Sequence, residues 1–129
     1  MAVPWWCMGH AATILVVDNE PEVGRFAKAC LERAGFRVLL ADDGEAAMVL
    51  HREYRATIQM LLIDVMMPKI TGLELADHVL KCEPETRILF MSGSCWDANR
   101  GFGCLGKPFS SAELIGRISD VLEVPATKH

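Results

Sequence analysis

Two short apolar runs that each close on an aspartate constrain this chain more than any other feature. Thr13-Ile-Leu-Val-Val17 ends at Asp18, and Met60-Leu-Leu-Ile63 ends at Asp64. Runs of this kind, without polar alternation, read as strands buried on both faces. The segments around them supply the cover such strands need. Pro21 stands where a first helical turn tolerates proline. Val23, Phe26, Ala27, Cys30, Leu31 and Ala34 follow at helical spacing, and Gly35 suits the stop. Phe36–Ala41 reads as a second strand, Asp42-Asp-Gly44 as a turn, and a second helix runs to about Tyr54. A loop marked by Pro68 and Gly72 leads into a helix from about Thr71 to Lys81. Leu73, Ala76, Val79 and Leu80 form its inner face. Arg87–Met91 gives a fourth strand ending at Ser92, and a short fifth lies near Cys104-Leu105. Ser110-Ser-Ala-Glu113 is a capping-box pattern, and Leu114, Ile115, Ile118, Val121 and Leu122 carry the last helix.

Five strands alternating with helices predict an α/β fold, an open doubly wound parallel sheet with right-handed crossovers. With 129 residues, 51% of them apolar, the chain has material for one core. The net charge of -4 offers no basic surplus for nucleic acid or anionic lipid, and no apolar stretch is long enough to cross a bilayer. Met1–His10 lacks the pattern of a secretory signal. Five cysteines (Cys7, Cys30, Cys82, Cys95, Cys104) are scattered, odd in number and form no CxxC pair. The expectation is a reduced, cytoplasmic protein without a disulfide framework or structural zinc.

In such sheets, chemistry gathers at the carboxyl ends of the strands. Here those ends are polar: Asp18-Asn19-Glu20 after the first, Asp64 after the third, Ser92 after the fourth and Lys107-Pro108 after the fifth. Two carboxylates and an amide offer hard oxygen ligands to Mg²⁺. A lysine and a serine hydroxyl suit phosphoryl oxygens, and a carboxylate beside a metal is a competent nucleophile toward phosphorus.

Asp18 after Ile14-Leu-Val-Val17, Asp64-Val-Met-Met-Pro68-Lys-Ile-Thr-Gly72, Ser92-Gly93 and Lys107-Pro108-Phe109 together resemble a response-regulator receiver domain of two-component signalling. The likeness spans roughly Thr13 to Glu123. It implies a flavodoxin-like sheet of order 2-1-3-4-5, with residues 1–12 an N-terminal extension or leader, 13–123 the receiver domain and 124–129 a tail. It implies Asp64 as the phosphoacceptor and Asp18 as part of the metal pocket. Asn19 takes the place of a metal-binding aspartate, and the Met66 backbone carbonyl is a further ligand for Mg²⁺ or another divalent cation. Ser92 and Lys107 would hold phosphoryl oxygens, and the bond before Pro108 is often cis in the family. Glu20 matches a common residue of the family but receives no ligand role.

Three departures stand out. Asn19 brings no charge to the metal. Cys104 stands at the switch position, three residues before Lys107, where the family usually has an aromatic ring. Only residues 93–106 separate Ser92 from Lys107, so the fourth helix should be shortened or absent and its segment, with Trp96 and Phe102, an irregular loop.

The expected function is a stand-alone, phosphorylation-dependent signalling switch rather than an enzyme. Its donor would be a sensor histidine kinase or phosphotransfer protein. It would have no direct nucleic-acid or membrane contact, and a homodimer is open to it. The chain read as a fragment of a longer regulator, a pseudo-receiver working without phosphate and a phosphatase with an aspartyl nucleophile are the alternatives. The last needs a DxD pattern that Asp18-Asn19-Glu20 does not supply. Asn19 also admits a simpler role, as N-cap of the helix opening at Glu20. His51 on its helix resembles a phosphotransfer histidine, but the surrounding architecture is wrong for that use.

Overall fold

In the computed structural model, which describes residues 12–93 and 103–123, both apolar runs are central strands of one sheet. The elements are β1 (Thr13–Val17), α1 (Pro21–Arg33), β2 (Arg37–Ala41), α2 (Gly44–Tyr54), β3 (Ile58–Asp64), α3 (Gly72–Cys82), β4 (Arg87–Ser92), β5 (Gly103–Gly106) and α4 (Ser111–Glu123). The strands run in the order β2-β1-β3-β4-β5, and every neighbouring pair is parallel. This is the flavodoxin-like order that the family resemblance implies.

The side-chain period of two divides the apolar residues between two faces. Ile14, Val16, Met60, Leu62, Leu89 and Met91 point to one side, where α1 and α4 cover them with Ala27, Leu31, Leu114, Ile118 and Leu122. Leu15, Val17, Leu61, Ile63, Ile88 and Phe90 point to the other, under Ala47 of α2 and Leu75, Ala76 and Val79 of α3. All twelve strand residues are buried. Each large aliphatic side chain so placed stabilises the fold by about 1.5–3 kcal/mol relative to exposure.

The helix ends follow local chemistry. Gly35 closes α1 at φ 101°, a backbone state that strains any side chain. The Asp43 carboxylate accepts the Ala46 N–H (2.7 Å) at the start of α2. Ser110 and Glu113 close the predicted capping box reciprocally (3.1 and 2.9 Å), and Thr71 with Glu74 forms a second one. Two local expectations change. The N-cap of α1 is Glu20, without a side-chain cap, so Asn19 is not the capping residue. Phe26 is 44% exposed, at the rim of its stripe, with its ring centroid 6.1 Å from that of Phe109.

Residues 93–102 alone connect β4 to β5, whereas the other crossovers use 18–36, 42–57 and 65–86. Ten residues are fewer than a parallel crossover usually takes. Among the described residues there are four helices. The expectations for Trp96 and Phe102, for most of the leader and for the tail at 124–129 lie outside the described residues.

Gly72 fixes the loop after Asp64. Its N–H donates to the Val65 carbonyl (3.1 Å). A Cβ at this position would press on the Asp64 carbonyl oxygen and lie 2.9 Å from Val65 Cα. Backbone cannot swing aside as a side-chain end can. Gly72→Ala should therefore lower stability by about 1–3 kcal/mol, as for overpacking elsewhere. Gly116 of α4 meets nothing within 4 Å, so Gly116→Ala should instead stabilise by about 0.5–1 kcal/mol. Urea unfolding midpoints check both, and a neutral Gly72→Ala would show that the loop can yield.

Candidate phosphoryl and metal site

Strand register brings the polar ends together. Val17 pairs with Ile63, so Asp18 and Asp64 emerge side by side, each one step further on. Asp64 pairs with Met91, and Ser92 pairs with Gly106, so Lys107 leaves the sheet beside them. The Lys107 N–H donates to the Ser92 carbonyl (2.9 Å), which ties the fourth strand end to the fifth. The Lys107–Pro108 bond is cis.

Lys107 is the hub of this edge. Its Nζ lies 2.8 Å from Asp18 Oδ2, 2.8 Å from Glu20 Oε1 and 3.5 Å from Asp64 Oδ2. Asp18 and Asp64 are buried, at 1% and 4% exposure. Asp18 Oδ1 accepts the Glu20 N–H (2.8 Å), and Asp64 Oδ1 accepts the Met66 N–H (3.1 Å). Asp18 Oδ2 faces Lys107 as an ion pair, its angles falling short of a hydrogen bond. Oxygens of Asp18, Glu20 and Asp64 all lie within 4.8 Å of one another.

Three carboxylates around one ammonium leave an excess of negative charge. Burial and then the neighbouring Asp18 push the Asp64 pKa up to about 6, while Lys107 and the Met66 N–H pull it down. Burial opposes the charge on Lys107. Its contacts with Asp18 and Glu20 and the field of Asp18 and Asp64 outweigh this and raise its pKa.

The other predicted residues take varied places. Asn19 is exposed and lines an open cleft of about 730 Å³ together with Glu20, Asp64, Met66 and Lys107. The Met66 side chain is 75% exposed. Ser92 is buried at the end of β4. Cys104 is half-buried on the face shared with Ile88 and Phe90, and its carbonyl accepts from Arg117 Nη1 (2.9 Å). Cys30 and Cys82 are free thiols. Glu20, left without a role in the sequence, joins the site. The signal was its adjacency to a strand end and a side chain long enough to turn back. His51 is 3% exposed within α2, away from any reach of a phosphoryl donor. Among the described residues no helix is long and apolar enough to cross a membrane.

Residues 14–119 match the family described as response regulator receiver domain. The chain is 31% identical over 116 residues to the response regulator receiver protein CpdR of Brucella abortus, covering 84% of this chain and 95% of that protein. It is 34% identical over 116 residues to the transcriptional regulatory protein CpxR of Escherichia coli, covering 84% of this chain. The chain spans about half of CpxR (48%) and the same share of another relative, the regulator YrkP of Bacillus subtilis. In structure it resembles the receiver domain of the hybrid histidine kinase CckA, with a TM-score of 0.77 and 33% identity over 85% of this chain and 98% of that one.

The raised Asp64 pKa predicts a pH dependence for the metal-free protein. The unfolded group titrates near 3.8 and the folded one near 6. Between these values the folded state holds the proton more tightly, so this group's contribution to stability declines as pH rises from about 4 to 6. Above 6 the ionised carboxylate costs on the order of 2 kcal/mol. His51 acts oppositely: burial and then Arg55 lower its pKa, so its contribution declines as pH falls below 6.5. Comparing wild type with Asp64→Asn cancels the histidine. In EDTA the variant should be the more stable by on the order of 2 kcal/mol at pH 7.5, and the gap should close by pH 4. Urea midpoints across that range measure it, and a gap independent of pH would contradict the charge assignment.

Proposed function

The chain belongs to the response regulator receiver family, and on that premise we propose that it is a phosphorylation-dependent switch whose acceptor is Asp64. The observation that supports this most is the placement of a buried Asp64 with one oxygen held by backbone and the other facing the lysine. Oδ1 is engaged by the Met66 N–H, while Oδ2 looks toward Lys107 and the open cleft. Oδ2 is thus the attacking oxygen. With a pKa of about 6, the carboxylate is ionised at neutral pH and nucleophilic. As Oδ2 bonds to phosphorus, the N–P bond of a donor phosphohistidine breaks. The imidazole keeps the electron pair and takes up a proton. The product is an acyl phosphate on Asp64. The Lys107 ammonium and the Ser92 hydroxyl hold oxygens of the transferred group.

The donor set suits a hard divalent cation, since three carboxylates converge against a single ammonium. Asp18, Asp64 and the Met66 carbonyl, with Asn19 alongside, would hold Mg²⁺, which offsets charge between the carboxylate and phosphoryl oxygens when bound. The proposed donor is a sensor histidine kinase or phosphotransfer protein, and the place of action is the cytoplasm. Receiver domains are signalling modules, so the chemistry of this one is its own phosphorylation and dephosphorylation. Output would pass through protein contact, a homodimer included, rather than through nucleic acid.

Asn19 and the absence of a ring at Cys104 favour a second reading, an interaction module of the same fold that works without phosphate. Incubation with acetyl phosphate and Mg²⁺ separates the two. Intact-mass analysis should show one added phosphoryl group on the wild type and none on Asp64→Asn, whose amide is a poor nucleophile. Equal labelling of both proteins would sink Asp64 as acceptor, and an unlabelled wild type would favour the phosphate-independent module.

A further inference from the structure

Residue 19 leaves a deficit that a neighbour is placed to fill. An asparagine oxygen offers a dipole to a cation where a carboxylate would offer a full charge. One residue on, Glu20 carries the charge that Asn19 lacks. Its backbone is pinned, because its N–H donates to Asp18 Oδ1 at 2.8 Å. Its side chain turns back over the site rather than into solvent: Oε1 lies 2.8 Å from Lys107 Nζ, and a carboxylate oxygen is within 4.8 Å of oxygens from both Asp18 and Asp64. Asp18 is the second pointer. It is almost wholly buried, and its Oδ2 meets the Lys107 ammonium at 2.8 Å, the same point that Glu20 Oε1 reaches.

We propose that Glu20 supplies the second acidic metal ligand of this chain, standing in for the uncharged residue 19. The proposal rests on the metal-assisted reading of the site given above and specifies which side chain completes it. A glutamate can do this from position 20 because its carboxylate sits one methylene further from the backbone than that of an aspartate. At 60% side-chain exposure it is also free to move from the lysine to a cation. Two ionised carboxylates beyond the one that balances Lys107 match the charge of one divalent ion.

The bland alternative is a half-exposed ion pair between Glu20 and Lys107, which contributes little and is screened by salt. Mn²⁺ titration followed by the electron paramagnetic resonance of the free ion separates the two, at low and at high KCl. Glu20→Gln should weaken Mn²⁺ binding about tenfold or more at both salt concentrations, as loss of a charged ligand does. Adding Asn19→Asp to Glu20→Gln should restore the affinity to near that of the wild type. Both positions are exposed and both changes nearly isosteric, and thermal melts confirm that the variants fold. A change that vanishes at high salt, or a double variant that stays weak, would overturn the role of Glu20. Binding lost in Asp18→Asn but intact in Glu20→Gln would overturn the same proposal while leaving the metal site standing. A wild type that binds no Mn²⁺ would remove the metal reading itself, and the proposal with it.

Discussion

The ammonium of Lys107 is the point on which this site turns. It meets carboxylates from three separate places in the chain: the end of β1, the start of α1 and the end of β3. Without a cation there, Asp18 and Asp64 would face each other as buried anions, an arrangement that raises the pKa of one or both. With it, Asp64 still sits near 6, so its charge is held in place at neutral pH at some cost to the fold. A carboxylate kept ionised in a partly dry site is more reactive than one in water. Reactivity and instability here have the same source.

The sheet makes that meeting possible. Parallel strands present all their carboxyl ends at one edge, and the doubly wound order places β3 between β1 and β4. The register then decides which residues meet. A shift of one residue between β1 and β3 would turn the whole apolar set of one strand to the wrong face. The cores on either side therefore hold Asp18 and Asp64 level, far more firmly than any contact within the site. Gly72 continues the same control beyond the sheet, because the backbone after Asp64 runs too close to it to admit a side chain.

The parts legible in the sequence were those governed by period and punctuation. Buried strands announced themselves as short apolar runs, and α4 by its capping box. Asp18, Asp64, Ser92 and Lys107 could be singled out because each follows such a run, and strand ends are predictable positions. Glu20 was passed over because its approach to Lys107 depends on a side-chain direction, which spacing does not encode. Its carboxylate returns to Lys107, 87 residues away in the chain. Asn19 looked equally suited to capping the helix, and the cap fell one residue later, a displacement beyond the precision of sequence patterns.

Cys104 also bears on how a change at Asp64 could leave the site. A free aromatic ring at this position could rotate between two pockets. A half-buried cysteine has no ring to rotate, so a ring-rotation relay is not available at this position. Two connections at β5 run through its backbone instead. The Lys107 N–H holds the Ser92 carbonyl at the site end of the strand, and Arg117 of α4 holds the Cys104 carbonyl. Gly103 lets Arg117 lie close, since a Cβ there would come within 2.7 Å of Arg117 Nη2. A displacement of Lys107 toward a group on Asp64 would therefore act on a short strand that α4 grips by its main chain.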